Sequence, residues 1–278
     1  MRFLVAALLL SVLAVDSASA QIGETLKKIG KSGAKVGIAA MPIGPEKEIE
    51  IGRGIAAVVV GRYKLHYDPE LSQYVNLVGL AVAEQSPRRG EIPFRFGILN
   101  SDDVNAFAAP GGYILVTRGA LALMESEAEL AGVLAHEVGH VDSKHVLDEV
   151  RRAGALKTVK EEADLKGALL DSIAAFGTSM LFTGLSREDE LEADSLGLIY
   201  AAAAGYRTDG LLRFVRSLQQ AEQAEGGKGG KLRELKATHP PAADRALAIE
   251  RQMKALELDP MAGEEVAERF RENVRKGG

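Results

Sequence analysis

Residues 126–145 read SEAELAGVLAHEVGHVDSKH, and this stretch decides the fold. Apolar residues recur in it at intervals of three and four, which predicts a helix with one buried face. Ser126 followed by Glu129 has the form of a capping box, so we expect the helix to start there. Within it, residues 136–140 form the pattern H-E-x-x-H.

The two histidines and the glutamate of this pattern indicate a metal site. Residues four apart lie on the same side of a helix, so His136 and His140 can both bind one ion. Zinc suits two imidazoles with a third ligand, and it lowers the pKa of a bound water to about 7. Glu137 flanks the ion and can accept a proton from that water. The alternative is two core histidines beside a surface glutamate, and a third ligand has to decide between them.

A group of acidic residues further along the chain supplies that ligand. Residues 186–200, SREDELEADSLGLIY, predict a second helix with Ser186 as N-cap and Asp189 at the box position. Glu190 and Asp194 stand one turn apart on it. Glu190 can complete the zinc site, and Asp194 can accept the free N–H of a ligating imidazole. A solvated acidic face is the alternative, and the H-E-x-x-H pattern upstream disfavours it.

Residues 1–20 have the features of an export signal. A basic residue at position 2 precedes an apolar run over residues 3–15, and residues 18–20 form an A-x-A cleavage pattern. We expect cleavage after Ala20 and a location in the bacterial periplasm or outside the cell. The chain contains no cysteine, so no lipid anchor, disulfide or thiol nucleophile is expected.

Charge and hydropathy argue against nucleic acid as the main partner and against an integral membrane span. The net charge is −5, which disfavours nucleic acid. Residues 169–182 are largely apolar, but Asp171 interrupts them and they are shorter than the ~20 residues that span a bilayer. A core helix is expected there, and a peripheral contact with a membrane is the alternative. We expect no integral membrane span after signal cleavage.

In the residues that precede 126–145, the spacing of apolar residues changes from the spacing typical of helices to the alternation typical of strands. Helices are predicted over residues 46–62 and 69–85. Residues 92–98, 104–108 and 113–117 then predict short strands. The expected fold is α+β, mainly helical around a small sheet of about three strands. Such a sheet can hold a polypeptide as an added strand beside the metal, or it can simply pack behind the helix.

The domain organisation follows from these segments. We predict a signal peptide (1–20), an N-terminal lead-in (21–45), a zinc peptidase domain (46–258) and a charged C-terminal tail or helix (259–278). Within the domain we expect a charged helix or linker at 151–166, an amphipathic helix at 209–223 and a mobile glycine-rich loop at 225–231.

Taken together, the motifs resemble those of the M48 family of zinc metallopeptidases, a branch of the gluzincins. The resemblance rests on HEVGH at 136–140, ELEAD at 190–194, NAFA with PGG over 105–112, and THPP at 238–241. It covers roughly residues 46–250 and is greatest to the soluble, periplasmic branch of the family. It implies a zincin-like fold and endopeptidase activity on polypeptides.

The resemblance also implies a role for individual residues. It implies that His136, His140 and Glu190 bind one zinc per chain and that Glu137 acts as the base. It also implies that Asn105 and Ala106 lie on the substrate-binding edge strand.

Residues 239–245 have the pattern H-P-x-x-x-x-R, which makes His239 and Arg245 further candidate site residues. Pro240 suits the first turn of a helix, so we expect His239 at the entry of that helix. The resemblance implies that both residues lie near the zinc and stabilise the oxyanion of the tetrahedral intermediate. A capping histidine with a solvated arginine is the alternative. His239 could also occupy the open position of the zinc and keep the enzyme latent.

The leading hypothesis is therefore a zinc-dependent endopeptidase that cleaves exported or misfolded proteins by attack of metal-activated water on the peptide bond. The alternative is a chaperone-like quality-control factor that binds exported clients and carries a latent or structural zinc. A zinc hydrolase with a non-peptide substrate is disfavoured by strands that suit an extended chain.

Overall fold

The computed structural model describes residues 43–152, 168–225 and 230–274. The predicted signal peptide, nearly all of the lead-in, and most of the predicted segments 151–166 and 225–231 lie outside these residues. The described helices are α1 (Pro45–Tyr63), α2 (Pro69–Ala83), α3 (Arg118–Leu123), α4 (Glu127–Asp142), α5 (His145–Arg152), α6 (Ala168–Thr183), α7 (Arg187–Ala203), α8 (Gly210–Glu225), α9 (Arg233–Thr238), α10 (Ala242–Ala255) and α11 (Ala267–Val274).

Three strands form one small mixed sheet. They are β1 (Arg95–Leu99), β2 (Ala106–Ala109) and β3 (Tyr113–Thr117), in the order β1–β3–β2. β1 runs parallel to β3 and β2 runs antiparallel to it. Two glycines with positive φ, Gly111 and Gly112, make the tight turn between β2 and β3. β2 lies at an edge of the sheet, and the predicted α+β fold is confirmed.

The two helices that carry the motifs begin at the predicted serine caps. Ser126 accepts a hydrogen bond from the backbone N–H of Glu129 at the start of α4, and Ser186 accepts one from Asp189 at the start of α7. At α7 the box is reciprocal, because Asp189 accepts the backbone N–H of Ser186. At α4 the carboxylate of Glu129 instead accepts from Glu125, so only half of the predicted box forms.

The motif helix ends just after the last residue of its apolar stripe, Val141. It ends at Asp142, because Lys144 has a φ of 57°, a left-handed conformation that stops a helix. His145 begins α5, and its side chain is 4% exposed. The chain therefore turns back on itself directly after α4, and His145 lies beneath the end of that helix.

Helices α4 and α7 pack backbone against backbone. A Cβ atom at Gly197 would lie 3.0 Å from the backbone nitrogen of His136, and a Cβ atom at Gly139 would lie 3.1 Å from the Cβ of Leu196. Real Cβ atoms rarely approach so closely. The absence of a side chain at these two positions therefore sets the distance between the helices.

A buried ion pair ties the sheet to the end of α4. The carboxylate of Glu48 accepts hydrogen bonds from Nη1 and Nη2 of Arg88, at 3.0 and 2.7 Å. Glu48 also accepts the backbone N–H of Gly111 in the turn between β2 and β3, at 3.1 Å. Arg88 donates further to the carbonyl of Val141 in α4, at 2.9 Å. The pair thus fixes the edge strand relative to the motif helix.

The described part of the C-terminal segment is a docked helix. Arg269 of α11 donates from Nε to Glu127 in the first turn of α4, at 2.6 Å. The hydroxyl groups of Tyr74 and Tyr206 donate to the same carboxylate, at 2.8 and 2.9 Å. Phe270, next to Arg269, is 2% exposed. The start of the motif helix is thereby held by α2, α11 and the loop after α7.

Helix α6 contributes to the core, as its apolar pattern predicts. Ala174 and Leu181 belong to a buried cluster with Ile55 of α1 and Leu147 of α5. Of the helices in the described ranges, none combines the length and the apolar character needed to cross a membrane.

We expect Gly197→Ala to push α4 and α7 apart by a few tenths of an ångström, since the contacted atoms are backbone and cannot rotate away. The free energy of unfolding should fall by about 1–3 kcal/mol, which urea denaturation measures. Gly61→Ala is the matched control: this glycine also lies within a helix, but no atom lies within 4 Å of the added Cβ. Equal stabilities for the two variants would contradict the close approach.

Stability should also depend on pH through Glu129. This carboxyl is 1% exposed, and burial raises its pKa to about 7 although Arg213 lies 3.4 Å away. The folded protein keeps a proton that the unfolded chain releases nearer pH 4.5, so the free energy of unfolding falls as pH rises between these values.

Glu129→Gln removes that titration. We expect the variant to gain up to about 3 kcal/mol relative to the parent protein between about pH 5 and pH 8, at roughly 1.4 kcal/mol per pKa unit. Urea denaturation at each pH measures the difference, with Glu70→Gln on the exposed side of α2 as control. A difference that does not vary with pH would refute the assignment.

Candidate metal centre

The three predicted ligands meet at one point between α4 and α7. The Nε2 atoms of His136 and His140 lie 3.0 Å apart, and the carboxylate oxygens of Glu190 lie 3.8 and 3.5 Å from them. Zinc with four ligands at about 2.0–2.2 Å holds its ligand atoms roughly 3.4 Å apart. The donor set therefore fits zinc in both chemistry and spacing. Within the described ranges, these buried residues form the group that could hold a metal ion.

Asp194 contacts the first imidazole on the side away from the metal position. Its Oδ1 lies 2.9 Å from Nδ1 of His136 and 2.5 Å from Nη2 of Arg245, whose Nε donates to Oδ2 at 3.2 Å. Burial raises the pKa of Asp194, but the charge of Arg245 and the hydrogen bond from His136 outweigh burial and lower it overall. Asp194 is therefore an anion, and it holds the proton of His136 on Nδ1, away from the metal position.

The second imidazole has a different partner. Nδ1 of His140 lies 2.9 Å from Nδ1 of His145, and both rings are buried. Burial, aided by His136, lowers the pKa of His140 well below its ordinary value. His140 is therefore neutral, which is the form that binds a metal.

His239 lies beside the third ligand. Its Nδ1 is 2.6 Å from Oε2 of Glu190, and its ring centroid is 6.0 Å from that of His136. Burial raises the pKa of Glu190, but the charge and hydrogen bond of His239 bring it well below the ordinary value. Burial conversely lowers the pKa of His239, and Glu190 raises it overall. The two side chains form a charged pair in which Glu190 is buried and His239 is partly exposed.

The elements around His239 differ slightly from the expectation. His239 follows the last residue of α9, and α10 begins at Ala242 with Pro241 as its N-cap, whereas Pro240 had been expected in the first turn. The reason is that the residue before a proline avoids helical conformation, and two prolines in a row extend the connection. Arg245 nevertheless reaches the site from the first turn of α10, and it is 7% exposed.

Glu137 lies between two pockets that flank the ligands. The side chain is 4% exposed, and burial raises its pKa, which His136 partly offsets. Ala106 at the start of β2 and His239 also line both pockets. The predicted base and the predicted edge strand are thus brought together at the metal position.

The two pockets are mainly apolar. One, the Phe107 pocket, lies next to β2 and α6, and its apolar lining includes Phe107, Val146, Met180, Leu181 and Leu185. The other, the Phe214 pocket, lies next to α8 and α9, and its apolar lining includes Val104, Val133, Phe214, Leu218 and Leu235.

Asn105 also lines the Phe214 pocket. The side chain is 2% exposed, and its Nδ2 is buried without a hydrogen-bond partner among the described residues. Its Oδ1 accepts the backbone N–H of Ala106 at 3.0 Å, which fixes the orientation of the amide. An unpaired donor therefore remains beside the metal position.

Comparison with known proteins then decides the family. Residues 69–253 match the model of peptidase family M48. The chain belongs to peptidase family M48. This confirms the predicted family, and with it the predicted class of enzyme, a metallopeptidase.

Three relatives align with different fractions of this chain. The β-barrel assembly-enhancing protease of Escherichia coli K12 is 26% identical over 215 residues, which are 73% of this chain and 43% of the relative. Mitochondrial metalloendopeptidase OMA1 of Arabidopsis thaliana is 34% identical over 109 residues, 39% of this chain and 22% of the relative. Metalloprotease YcaL of Escherichia coli K12 is 26% identical over 159 residues, 55% and 60% respectively. The chain thus spans less than half the length of the first of these.

The sequence patterns predict no role for His145, although the structure places it against His140. Residues five apart on one continuous helix point about 140° away from each other, so the spacing predicts no contact. The helix break at Lys144 brings the two rings together. A signal for that break was absent, because the left-handed residue is a lysine and not a glycine.

We expect one zinc per chain, lost in His136→Ala, His140→Ala and Glu190→Ala. Asp194→Ala should weaken zinc binding by about 10–100-fold without abolishing it, because only the support of one imidazole is removed. Elemental analysis after dialysis and competition with a chelator measure these effects. Glu188→Ala, an exposed acidic residue of the same helix, is the control. Stoichiometric zinc in Glu190→Ala would refute its assignment as a ligand.

Proposed function

We propose that this M48 chain is a zinc-dependent endopeptidase that cleaves exported or misfolded proteins. The observation that carries the proposal is the convergence of His136, His140 and Glu190 beside Glu137 and the edge strand β2. Membership in a peptidase family supports the reaction class.

The proposed chemistry assigns one step to each residue. Zinc, when bound by the three ligands, supplies a Lewis acid that makes water and the scissile carbonyl more reactive. Glu137 lines both pockets at the ligands, and it takes the proton of the attacking water and delivers it to the leaving amine. Its burial excludes bulk water, so the transferred proton stays within the site.

His239 and Arg245 are proposed to stabilise the negative charge that develops on the carbonyl oxygen. His239 pairs with Glu190 through Nδ1 and lines both pockets, so its other ring nitrogen, Nε2, is the one that can donate to a bound substrate. Arg245 donates to Asp194 with two of its N–H groups and lines the Phe214 pocket, so further donors of the guanidinium are left for the substrate.

The proposed substrate is an extended polypeptide with apolar side chains. The edge of β2 offers backbone groups to which a chain can pair as an added strand. Ala106 lines both the Phe107 and the Phe214 pocket, and the two pockets are proposed to receive the side chains that flank the scissile bond. Exposed apolar residues in extended chains are typical of unfolded proteins, which supports misfolded proteins as the substrate class.

The proposed location is the bacterial periplasm or the cell exterior. It rests on the predicted signal over residues 1–20 and on relatives that include bacterial proteins. One of these is named for enhancing β-barrel assembly, which supports exported proteins as clients.

One observation favours the alternative of a chaperone-like factor with a latent site. His239 pairs with Glu190, a proposed ligand, at 2.6 Å. A histidine so close to the ligands is in reach of the position that a reacting water needs. A resting protein of this kind would bind clients without cleaving them.

Glu137→Gln separates the two functions. We expect the variant to keep stoichiometric zinc and to cleave an unfolded protein such as reduced casein about 10²–10⁴-fold more slowly, because it removes only the proton acceptor. Gel electrophoresis with and without chelator measures cleavage, and Glu188→Gln is the matched control. Parent-like cleavage by Glu137→Gln would mean that Glu137 is not the base. Protection of an aggregating client equal to that by the parent would favour the chaperone-like function.

A further inference from the structure

His145 packs edge-on against the back of the His140 ring. The Nδ1 atoms of the two rings lie 2.9 Å apart, the centroids 5.0 Å apart, and the planes are inclined by 73°. His145 is 4% exposed, so water does not compete for this contact. The reaction assigned above gives His145 no function.

The positions of the ring nitrogens determine where the protons are. Nε2 of His140 faces His136 and Glu190 and must be free of hydrogen to bind a metal. The hydrogen of neutral His140 is then on Nδ1, which donates to Nδ1 of His145. His145 accepts at Nδ1, so its own hydrogen is on Nε2.

The other side of His145 is lined by carboxylates. Its Nε2 lies 3.7 Å from Oδ1 of Asp189 and 3.7 Å from Oε2 of Glu192. Glu192 is held in place by the hydroxyl of Ser143, at 2.7 Å. Two negatively charged carboxylates thus lie near the nitrogen that must carry the hydrogen, and they attract that hydrogen electrostatically, although among the described residues neither is close enough for a hydrogen bond. This environment favours the tautomer that accepts from His140.

We infer that His145 is a positioning residue for the metal centre, which fixes the tautomer and the ring orientation of His140. The inference rests on the proposed zinc site. Each imidazole ligand then has its own support: the carboxylate of Asp194 lies behind His136, and the ring of His145, with carboxylates beyond it, lies behind His140. Without an acceptor at position 145, the Nδ1–H of His140 would be buried unpaired, and the hydrogen would compete with the metal for Nε2.

A pair of substitutions tests the inference on the full chain. Asn can place its Oδ1 where His145 has Nδ1, so it keeps an acceptor, whereas Leu keeps only the volume. We expect His145→Leu to weaken zinc binding by about 10–100-fold and His145→Asn to stay within a few-fold of the parent protein. Competition with a chelator measures zinc affinity, and thermal unfolding of the zinc-free proteins reports on folding. His66→Leu, in the connector before α2, is the control.

The results distinguish the inference from the proposed function. Equal zinc affinities for the parent, His145→Leu and His145→Asn would overturn the role of His145 while leaving a zinc peptidase intact. Equal losses in both variants would show that the acceptor is not what matters and would overturn it too. A parent protein that binds no zinc would instead overturn the proposed function.

A second measurement needs no variant. Long-range ¹H–¹⁵N spectra of the zinc-loaded protein with labelled histidines report the tautomer of each ring. We expect the hydrogen of His140 on Nδ1 and that of His145 on Nε2. A hydrogen on Nδ1 of His145 would overturn the inference, even if His145→Leu does not fold.

Discussion

The backbone contact between α4 and α7 is the constraint on which the candidate site depends. Zinc ligands lie only a few ångströms apart, so the helices that carry them must be held at a fixed distance from each other. Gly197 meets the backbone of His136, and Gly139 meets the opposite helix. Glu190 stands seven residues, or about two turns, before Gly197 and therefore lies on the same face of α7. The glycine that brings the helices together also directs the third ligand toward the histidines.

Such close packing buries carboxylates, and two of them are paired with a basic side chain. Glu190 pairs with His239, and Asp194 pairs with Arg245. Removing an ion from water costs several kcal/mol unless an opposite charge is held in good geometry. The segment that carries His239 and Arg245 is therefore part of the metal centre, even though it is distant in sequence from both motif helices.

Sequence patterns predicted the parts of the structure that depend on local rules. The i, i+4 histidines, the serine caps and strand β3 follow from spacing and residue type, and the structure reproduces them. The break at Lys144 could not be predicted, because a left-handed lysine is held by its surroundings and carries no sequence signal. The Glu48–Arg88 pair joins residues 40 positions apart, and periodicity gives no information on such contacts. The position of His145 depends on the helix break at Lys144, so it could not be predicted either.

The Glu48–Arg88 pair has a consequence for how cleavage can vary among related chains. The carboxylate of Glu48 holds the turn that ends strand β2, and Arg88 holds the end of the helix that bears Glu137, the proposed base. One ion pair thus fixes the position of strand β2, where we propose that a peptide binds, and that of Glu137, the proposed base. The alignment of the attacking water with the peptide bond then depends on Glu48 and Arg88, which contact neither of them. Substitutions at this pair can therefore change the rate of cleavage in related chains while every proposed metal ligand and pocket residue stays the same.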